Sequence, residues 1–169
     1  MSRGARPDIP QLPLSTSDKV LEVIAAVLLL SIWVNLLYNY ATTPDSVPIH
    51  FNASGAPDGW GSRNGLFLLP MVSLVLYFAL TLVSRLPSRY YNLPVNITEA
   101  NGPAQFALAR RLIRVAKVYA LTLFSYITWA QLQTAQGIRT GLGPGLMPLM
   151  LAGVVGMLIF YFTQSRRFR

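Results

Sequence analysis

The sequence predicts an all-α integral membrane protein, a four-helix bundle with one ordered extracytoplasmic loop and both termini in the cytoplasm. Just over half of the 169 residues are apolar (53%) and only 12% are charged, whereas a soluble domain carries about a quarter charged residues. Four stretches have the roughly 20 mostly apolar residues that cross a bilayer as a helix. The basic residues, which give a net charge of +8, flank these stretches, as topology signals do. The charge therefore indicates a membrane protein and does not indicate a nucleic-acid partner.

Each predicted span contains at most one charged residue. The first contains Glu22, the second Arg85 and the third Lys117 near its start. The fourth has no charge, and its Pro144 and Pro148 suit the first turns of a helix better than its middle. The predicted spans cover residues 20–40, 66–86, 115–135 and 142–162, within a membrane domain of residues 20–162.

The distribution of Lys and Arg predicts the orientation of the spans. Only Arg63 and Arg139 lie on one side of the predicted membrane domain. Because positive residues stay in the cytoplasm, both termini are expected there, as a flexible tail of residues 1–19 and a basic tail of residues 163–169. The loop of residues 41–65 then faces outward. The residues on the predicted cytoplasmic side are Arg3, Arg6, Lys19, Arg85, Arg89, Arg110, Arg111, Arg114, Lys117, Arg166, Arg167 and Arg169.

The outer loop of residues 41–65 is too long to be a simple connection, and its pattern predicts order. Apolar Val47, Ile49 and Phe51 alternate with other residues, which indicates a short extended segment. A glycine-rich stretch with Pro57 follows and predicts a turn. The loop is therefore expected to form a small ordered cap on the outer face of the membrane.

Two stretches of this loop, residues 44–52 and 55–63, resemble the signature of a family of small bacterial multi-pass membrane proteins of unknown function. Residues 92–101 resemble a second stretch of that family. The same domain begins the sporulation-delaying-toxin immunity proteins. The resemblance implies a place in the bacterial cytoplasmic membrane and an accessory, immunity-like or signalling role. The motif residues, expected to form an outer recognition surface, are Pro44, Asp45, Pro48, His50, Phe51, Asn52, Gly55, Asp58, Trp60, Gly61 and Arg63.

The polar residues of the loop leave three interpretations open. Asp45, His50 and Asp58 could bind a transition metal, but zinc sites usually draw on several His or Cys residues and this chain has one His and no Cys. Alternatively, the two carboxylates cap turns and His50 forms a hydrogen bond across the loop. A recognition surface is the third interpretation. No catalytic residue, metal or other cofactor is predicted.

Three amide side chains lie inside predicted spans, at similar depth towards the outer leaflet. Asn35 and Asn39 are four residues apart on the first helix, and Gln131 is on the third. Such groups usually form hydrogen bonds between helices. A path for a polar substrate is the functional alternative.

Several charges lie near the predicted cytoplasmic ends of the spans. Lys117 follows Arg110 and Arg114 at helical spacing, which predicts a solvated basic face. The alternative is an ion pair between Glu22 and Lys117 that joins the first and third helices. Glu99 is expected in the first turn of a helix, where it complements the dipole. The predicted charges on this side are Glu22, Glu99, Arg110, Arg111, Arg114 and Lys117.

These observations predict a non-enzymatic membrane accessory or binding protein. It is expected to act through protein–protein contacts in the bilayer and through an outer-face loop that presents His50, Asp58 and Trp60. The expected partners are membrane lipids and another integral membrane protein or complex. A small transporter or channel-like component that uses Asn35, Asn39 and Gln131 is the first alternative. An enzyme with a metal-binding loop is the second.

Overall fold

A computed structural model describes residues 9–10 and 12–168, and the chain is mostly helical with one small sheet. Short 3₁₀ turns precede the second long helix and follow it. The predicted basic residues Arg3, Arg6 and Arg169 lie outside the described residues. The elements in chain order are α1 (Thr16–Tyr40), β1 (Ser46–Phe51), β2 (Pro57–Ser62), a 3₁₀ turn (Arg63–Phe67), α2 (Leu68–Val83), a 3₁₀ turn (Ser88–Tyr90), α3 (Gly102–Ala135) and α4 (Leu146–Arg167).

Three helical segments of the described chain are long and apolar enough to cross a membrane: Thr16–Tyr40, Arg63–Val83 and Leu146–Arg167. The prediction of a mostly helical chain with several helices of membrane-spanning length and hydropathy is confirmed. The predicted span 115–135 lies within α3, which is not among the three. α3 packs against α1, α2 and α4, and several of its polar side chains are buried between helices. A helix enclosed by others does not need the uniform apolar surface of a lipid-facing one.

The described residues of the two predicted tails include regular structure. Ser15 and Asp18 form a capping box, so α1 begins at Thr16. Before it, the Ile9 side chain is buried and its backbone N–H lies 3.3 Å from the Ser88 hydroxyl. α4 continues to Arg167 and so includes most of the predicted basic tail.

α3 begins earlier than the span predicted within it. Its first residue is Gly102, and a proline lies in the first turn, where the missing N–H costs nothing. The expectation that Glu99 occupies a first turn is therefore wrong, because this exposed residue precedes the helix. Thr98 and Asn101 instead close a turn through reciprocal bonds from backbone N–H to side chain, of 2.9 and 3.2 Å.

The buried contacts define two ends of the molecule. At the first, which we call the terminal end, Ile9 packs in a cluster with Phe106 and Tyr161. At the second, the hairpin end, Val47 of β1 packs in a cluster that includes Leu132 of α3. The start of the described chain, the α2–α3 connection and the end of α4 therefore lie together, and the sheet lies at the other end of the helices.

Candidate functional site

The sheet at the hairpin end is a two-stranded antiparallel hairpin. The sequence predicts only the first strand, and the glycine-rich stretch predicted as a turn forms the second, β2. The actual turn is organised by Asn52, whose side-chain oxygen lies 3.0 Å from the Ser54 N–H and 3.1 Å from the Ala56 N–H. Gly55 provides the positive φ of 79° that this turn requires.

One side of the hairpin is fixed to the helices. Val47 and Pro48 are buried, and the Gln131 side chain of α3 donates a 2.7 Å hydrogen bond to the Pro48 carbonyl. The turn is attached separately, because the Leu142 N–H in the α3–α4 connection donates a 2.7 Å bond to the Gly55 carbonyl. Strand and turn are therefore both held in place by residues far away in the sequence.

Arg63 fixes the base of the hairpin to the end of α1. Its guanidinium lies 3.2 Å from the Thr43 carbonyl and 4.9 Å from the centre of the Tyr40 ring. It also lies 3.3 Å from the Asp45 carboxylate. That carboxylate is almost fully exposed, so the ion pair itself contributes little. The carbonyl and ring contacts make Arg63 a structural residue of the hairpin base.

The other side of the hairpin carries an exposed pair of polar groups. His50 Nδ1 lies 2.5 Å from Asp58 Oδ1, and the two side chains are 72% and 42% exposed. Beside them, the apolar side chains of Ile49 and Trp60 are 51% and 55% exposed. We call Ile49, His50, Asp58 and Trp60 the hairpin surface. It combines a large aromatic side chain with a polar pair, which is a composition typical of recognition sites.

The remaining motif residues have mainly structural positions. Phe51 lies opposite Pro57 in the pairing of the strands, and Gly61 lies opposite Val47. Pro44 is exposed in the connection that leads from α1 to β1.

The three residues considered as metal ligands are not brought together. Asp45 precedes β1 and pairs with Arg63 at the base of the hairpin, whereas His50 and Asp58 lie together further along the strands. Within the described residues, no group of three or more His, Cys, Asp and Glu side chains could hold a metal ion.

The three amides predicted inside spans form two separate sets. The Asn39 side chain donates to the Asn35 carbonyl at 2.8 Å and lies 3.1 Å from the Asn35 side-chain oxygen. The Gln136 side chain lies 3.5 Å from Asn39. Gln131 is engaged with Pro48 instead. Asn35 and Asn39 thus form a hydrogen bond within α1, whereas Gln131 joins α3 to the hairpin.

A cluster of five charged residues joins α1 and α3 near the terminal end. At its centre, Lys117 is fully buried, and its Nζ lies 2.6 Å from Glu22 Oε2 and 2.8 Å from Thr81 Oγ1. The same ammonium lies 4.7 Å from the centre of the Tyr77 ring on α2. Lys117 therefore forms the alternative predicted from the sequence, an ion pair with Glu22. It does not lie on a solvated basic face, because its side chain is buried. We call Asp18, Glu22, Arg111, Arg114 and Lys117 the charge cluster.

The arginines of the charge cluster extend the pairing towards the start of α1. Arg114 is buried and lies 3.3 Å from Glu22 and 3.6 Å from Asp18. Arg111 lies 3.4 Å from Asp18 and donates to the hydroxyls of Ser15 and Ser17. Sequence reasoning did not predict an ion pair for Asp18, although this residue lies one helical turn before Glu22 and so presents a second carboxylate on the same face.

Arg110 lies outside the charge cluster. Its side chain is largely buried, donates a 3.3 Å bond to the Leu86 carbonyl and stacks 5.8 Å from the centre of the Tyr91 ring. It fixes the α2–α3 connection against α3. This role is structural, so a basic charge predicted as solvated serves here in packing.

Part of this chain is similar in sequence to a family without an assigned role. The sequence model of a family described as "Domain of unknown function (DUF1648)" matches residues 26–74, which include most of α1, the hairpin and the start of α2. An uncharacterized protein of Archaeoglobus fulgidus is 26% identical over 161 residues, which cover 89% of this chain and 87% of that protein. No solved structure matches. These similarities support the expected likeness to a family of unknown function, and the link to immunity proteins stays a prediction.

Proposed function

We propose that this chain is a non-enzymatic membrane protein that binds a partner protein through the hairpin surface on the extracytoplasmic side of a bacterial cytoplasmic membrane. One observation carries the proposal: a hairpin fixed at its strand, turn and base leaves Ile49, His50, Asp58 and Trp60 exposed. Because the hairpin is already held rigidly against the helices, it loses less conformational entropy when a partner binds. The partner would be another integral membrane protein, for which this chain is an accessory subunit or an immunity-like or signalling partner.

The proposal includes a four-span bundle in which α3 is the central helix. Basic residues support the orientation. Arg89, Arg166 and Arg167 lie at the terminal end, whereas Arg63 and Arg139 are the basic residues of the hairpin end among the described residues. Positive charge is retained in the cytoplasm. The terminal end would then be cytoplasmic and the hairpin extracytoplasmic.

Single cysteines test this orientation, because the chain contains none. Ala53 in the hairpin turn and Ala100 before α3 are both exposed, so Ala53→Cys and Ala100→Cys change little else. In intact cells, a membrane-impermeant maleimide is expected to label Ala53→Cys and to spare Ala100→Cys. Both should react after the membrane is opened. The reverse pattern in intact cells would invert the proposed orientation and contradict an extracytoplasmic hairpin.

A photo-crosslinking amino acid at Ile49 tests the binding role. We expect a discrete adduct with one membrane protein in native membranes, because Ile49 lies beside the His50–Asp58 pair on the hairpin surface. Trp60→Ala should reduce the yield at least about tenfold, since buried Trp anchors contribute upwards of about 2 kcal/mol to an interface. His50→Ala should also reduce it.

Tyr38 provides the matched control, because its side chain is 85% exposed on α1 outside the hairpin. The crosslinking residue at Tyr38 should not give the same adduct. The proposal is overturned if Ile49 yields no protein adduct, or if Trp60→Ala leaves the adduct unchanged in a protein that is still correctly folded. Solute flux through liposomes that contain this chain alone would favour the transporter alternative instead.

A further inference from the structure

A groove that is open to the surface lies between α3 and α4. Its volume is about 200 Å³, and its lining of apolar side chains includes Leu112 and Val115 of α3 and Met157 and Phe160 of α4. This volume exceeds the roughly 150 Å³ of an apolar cavity that accepts benzene. The groove can therefore hold a section of a hydrocarbon chain.

The groove exists because α4 is held against α3 above and below it. Towards the hairpin end, the Tyr119 hydroxyl donates to the Met150 carbonyl at 2.8 Å. Towards the terminal end, Gln105 and Ser165 exchange two hydrogen bonds of 2.8 and 2.9 Å. Between these contacts, Gly156 lines the groove, and a Cβ there would meet no atom within 4 Å. The missing side chain keeps the groove open.

The lining of the groove also includes a cation. Arg111 lines it and is nearly half exposed. Its guanidinium is positioned by Asp18 at 3.4 Å and by the Ser15 and Ser17 hydroxyls. The charges around the groove have both signs, and cations predominate. Two carboxylates, Asp18 and Glu22, face three cations, Arg111, Arg114 and Lys117. The exposed Lys19 lies one residue after Asp18.

We propose that the groove binds one acyl chain of an anionic phospholipid, whose phosphate group contacts Arg111. The inference rests on the proposed insertion of this chain into a membrane, where lipid is the apolar molecule at highest local concentration. Basic residues at a helix–helix groove on the cytoplasmic side attract anionic headgroups, at roughly 1 kcal/mol for each charge. The groove and Arg111 together match the two parts of such a lipid.

Native mass spectrometry of the purified full-length protein tests the proposal. Phosphatidylglycerol and phosphatidylcholine with identical acyl chains are added separately, and the bound lipid is counted. We expect several-fold more bound phosphatidylglycerol. Gly156→Leu fills the groove and should reduce binding of both lipids, whereas Ala152→Leu, which adds the same side chain at an exposed position of α4 outside the groove lining, should not. Arg111→Gln should remove the preference for phosphatidylglycerol.

Equal binding of the two lipids by the unmodified protein would overturn the proposal, as would full retention of phosphatidylglycerol by Gly156→Leu. A dimer that Gly156→Leu dissociates would assign the groove to a second copy and would also overturn it. Gly156→Leu replaces a helical glycine, so helix propensity favours folding, and its melting temperature verifies this. Failure of the lipid test with the expected labelling at Ala53→Cys refutes only the lipid site, whereas reversed labelling refutes the proposed function.

Discussion

Replacing Glu22 with glutamine is expected to lower the free energy of unfolding by about 3–5 kcal/mol, the range observed when one partner of a buried ion pair is removed. Glu22 is the 2.6 Å partner of Lys117 and lies 3.3 Å from Arg114. Without it, the buried Lys117 ammonium loses its only carboxylate within 4 Å among the described residues. The change can be measured by SDS-induced unfolding in mixed micelles.

The complementary substitution should cost less. In Lys117→Met, Glu22 keeps Arg114 as a partner and is itself about one quarter exposed, so no buried charge is left alone. The double variant Glu22→Gln with Lys117→Met should recover part of the loss caused by Glu22→Gln. The double-mutant cycle separates this coupling from the separate effects of the two changes. A loss below about 1 kcal/mol in Glu22→Gln would contradict the burial of the Lys117 ammonium, because exposed pairs contribute about that much or less.

The second large effect is expected for Gly55→Ala in the hairpin turn. The backbone at Gly55 has a φ of 79°, and a Cβ there would lie closer than 3 Å to backbone atoms of Gly143. The unfavourable φ costs about 1–2 kcal/mol, and overpacking costs about 1–3 kcal/mol more. A total of about 2–5 kcal/mol is expected, together with detachment of the turn from the α3–α4 connection.

Hydrogen exchange at the Leu142 amide measures this detachment, because that N–H donates to the Gly55 carbonyl. Exchange should accelerate in Gly55→Ala. Gly137→Ala is the matched control: its φ is 74°, but a Cβ there meets no atom within 4 Å. The control should therefore lose only about 1–2 kcal/mol and keep the slow exchange at Leu142. Unchanged exchange in Gly55→Ala would contradict the attachment of the turn.

The sequence alone was sufficient to predict the apolar helices, because their length and hydropathy depend little on their neighbours. It also predicted β1, where Val47, Ile49 and Phe51 alternate. The second strand could not be predicted, because Pro57, Asp58 and two glycines are all disfavoured in strands. Pairing with β1 overrides these local preferences, and the bonds from Gln131 and Leu142 then fix the hairpin to the helices.

The charge cluster illustrates the same limit. Helical spacing placed Arg114 and Lys117 on one face of α3, but it could not reveal whether that face contacts solvent or another helix. This face of α3 contacts a helix because the opposing face of α1 presents Asp18 and Glu22, which lie one turn apart. The expected first helical turn around Glu99 lies only a few residues before the actual start of α3 at Gly102, because Thr98 and Asn101 close a separate turn before the helix.

The position of Lys117 has a consequence for synthesis of the chain. The carboxylates of α1 leave the ribosome long before the lysine and arginines of α3 that neutralise them. A nascent chain that ends before α3 has no intramolecular cation from that helix for Glu22. We therefore expect the contact between α1 and α3 to form only after α3 has been synthesised, so that Glu22 gains its two cationic partners late.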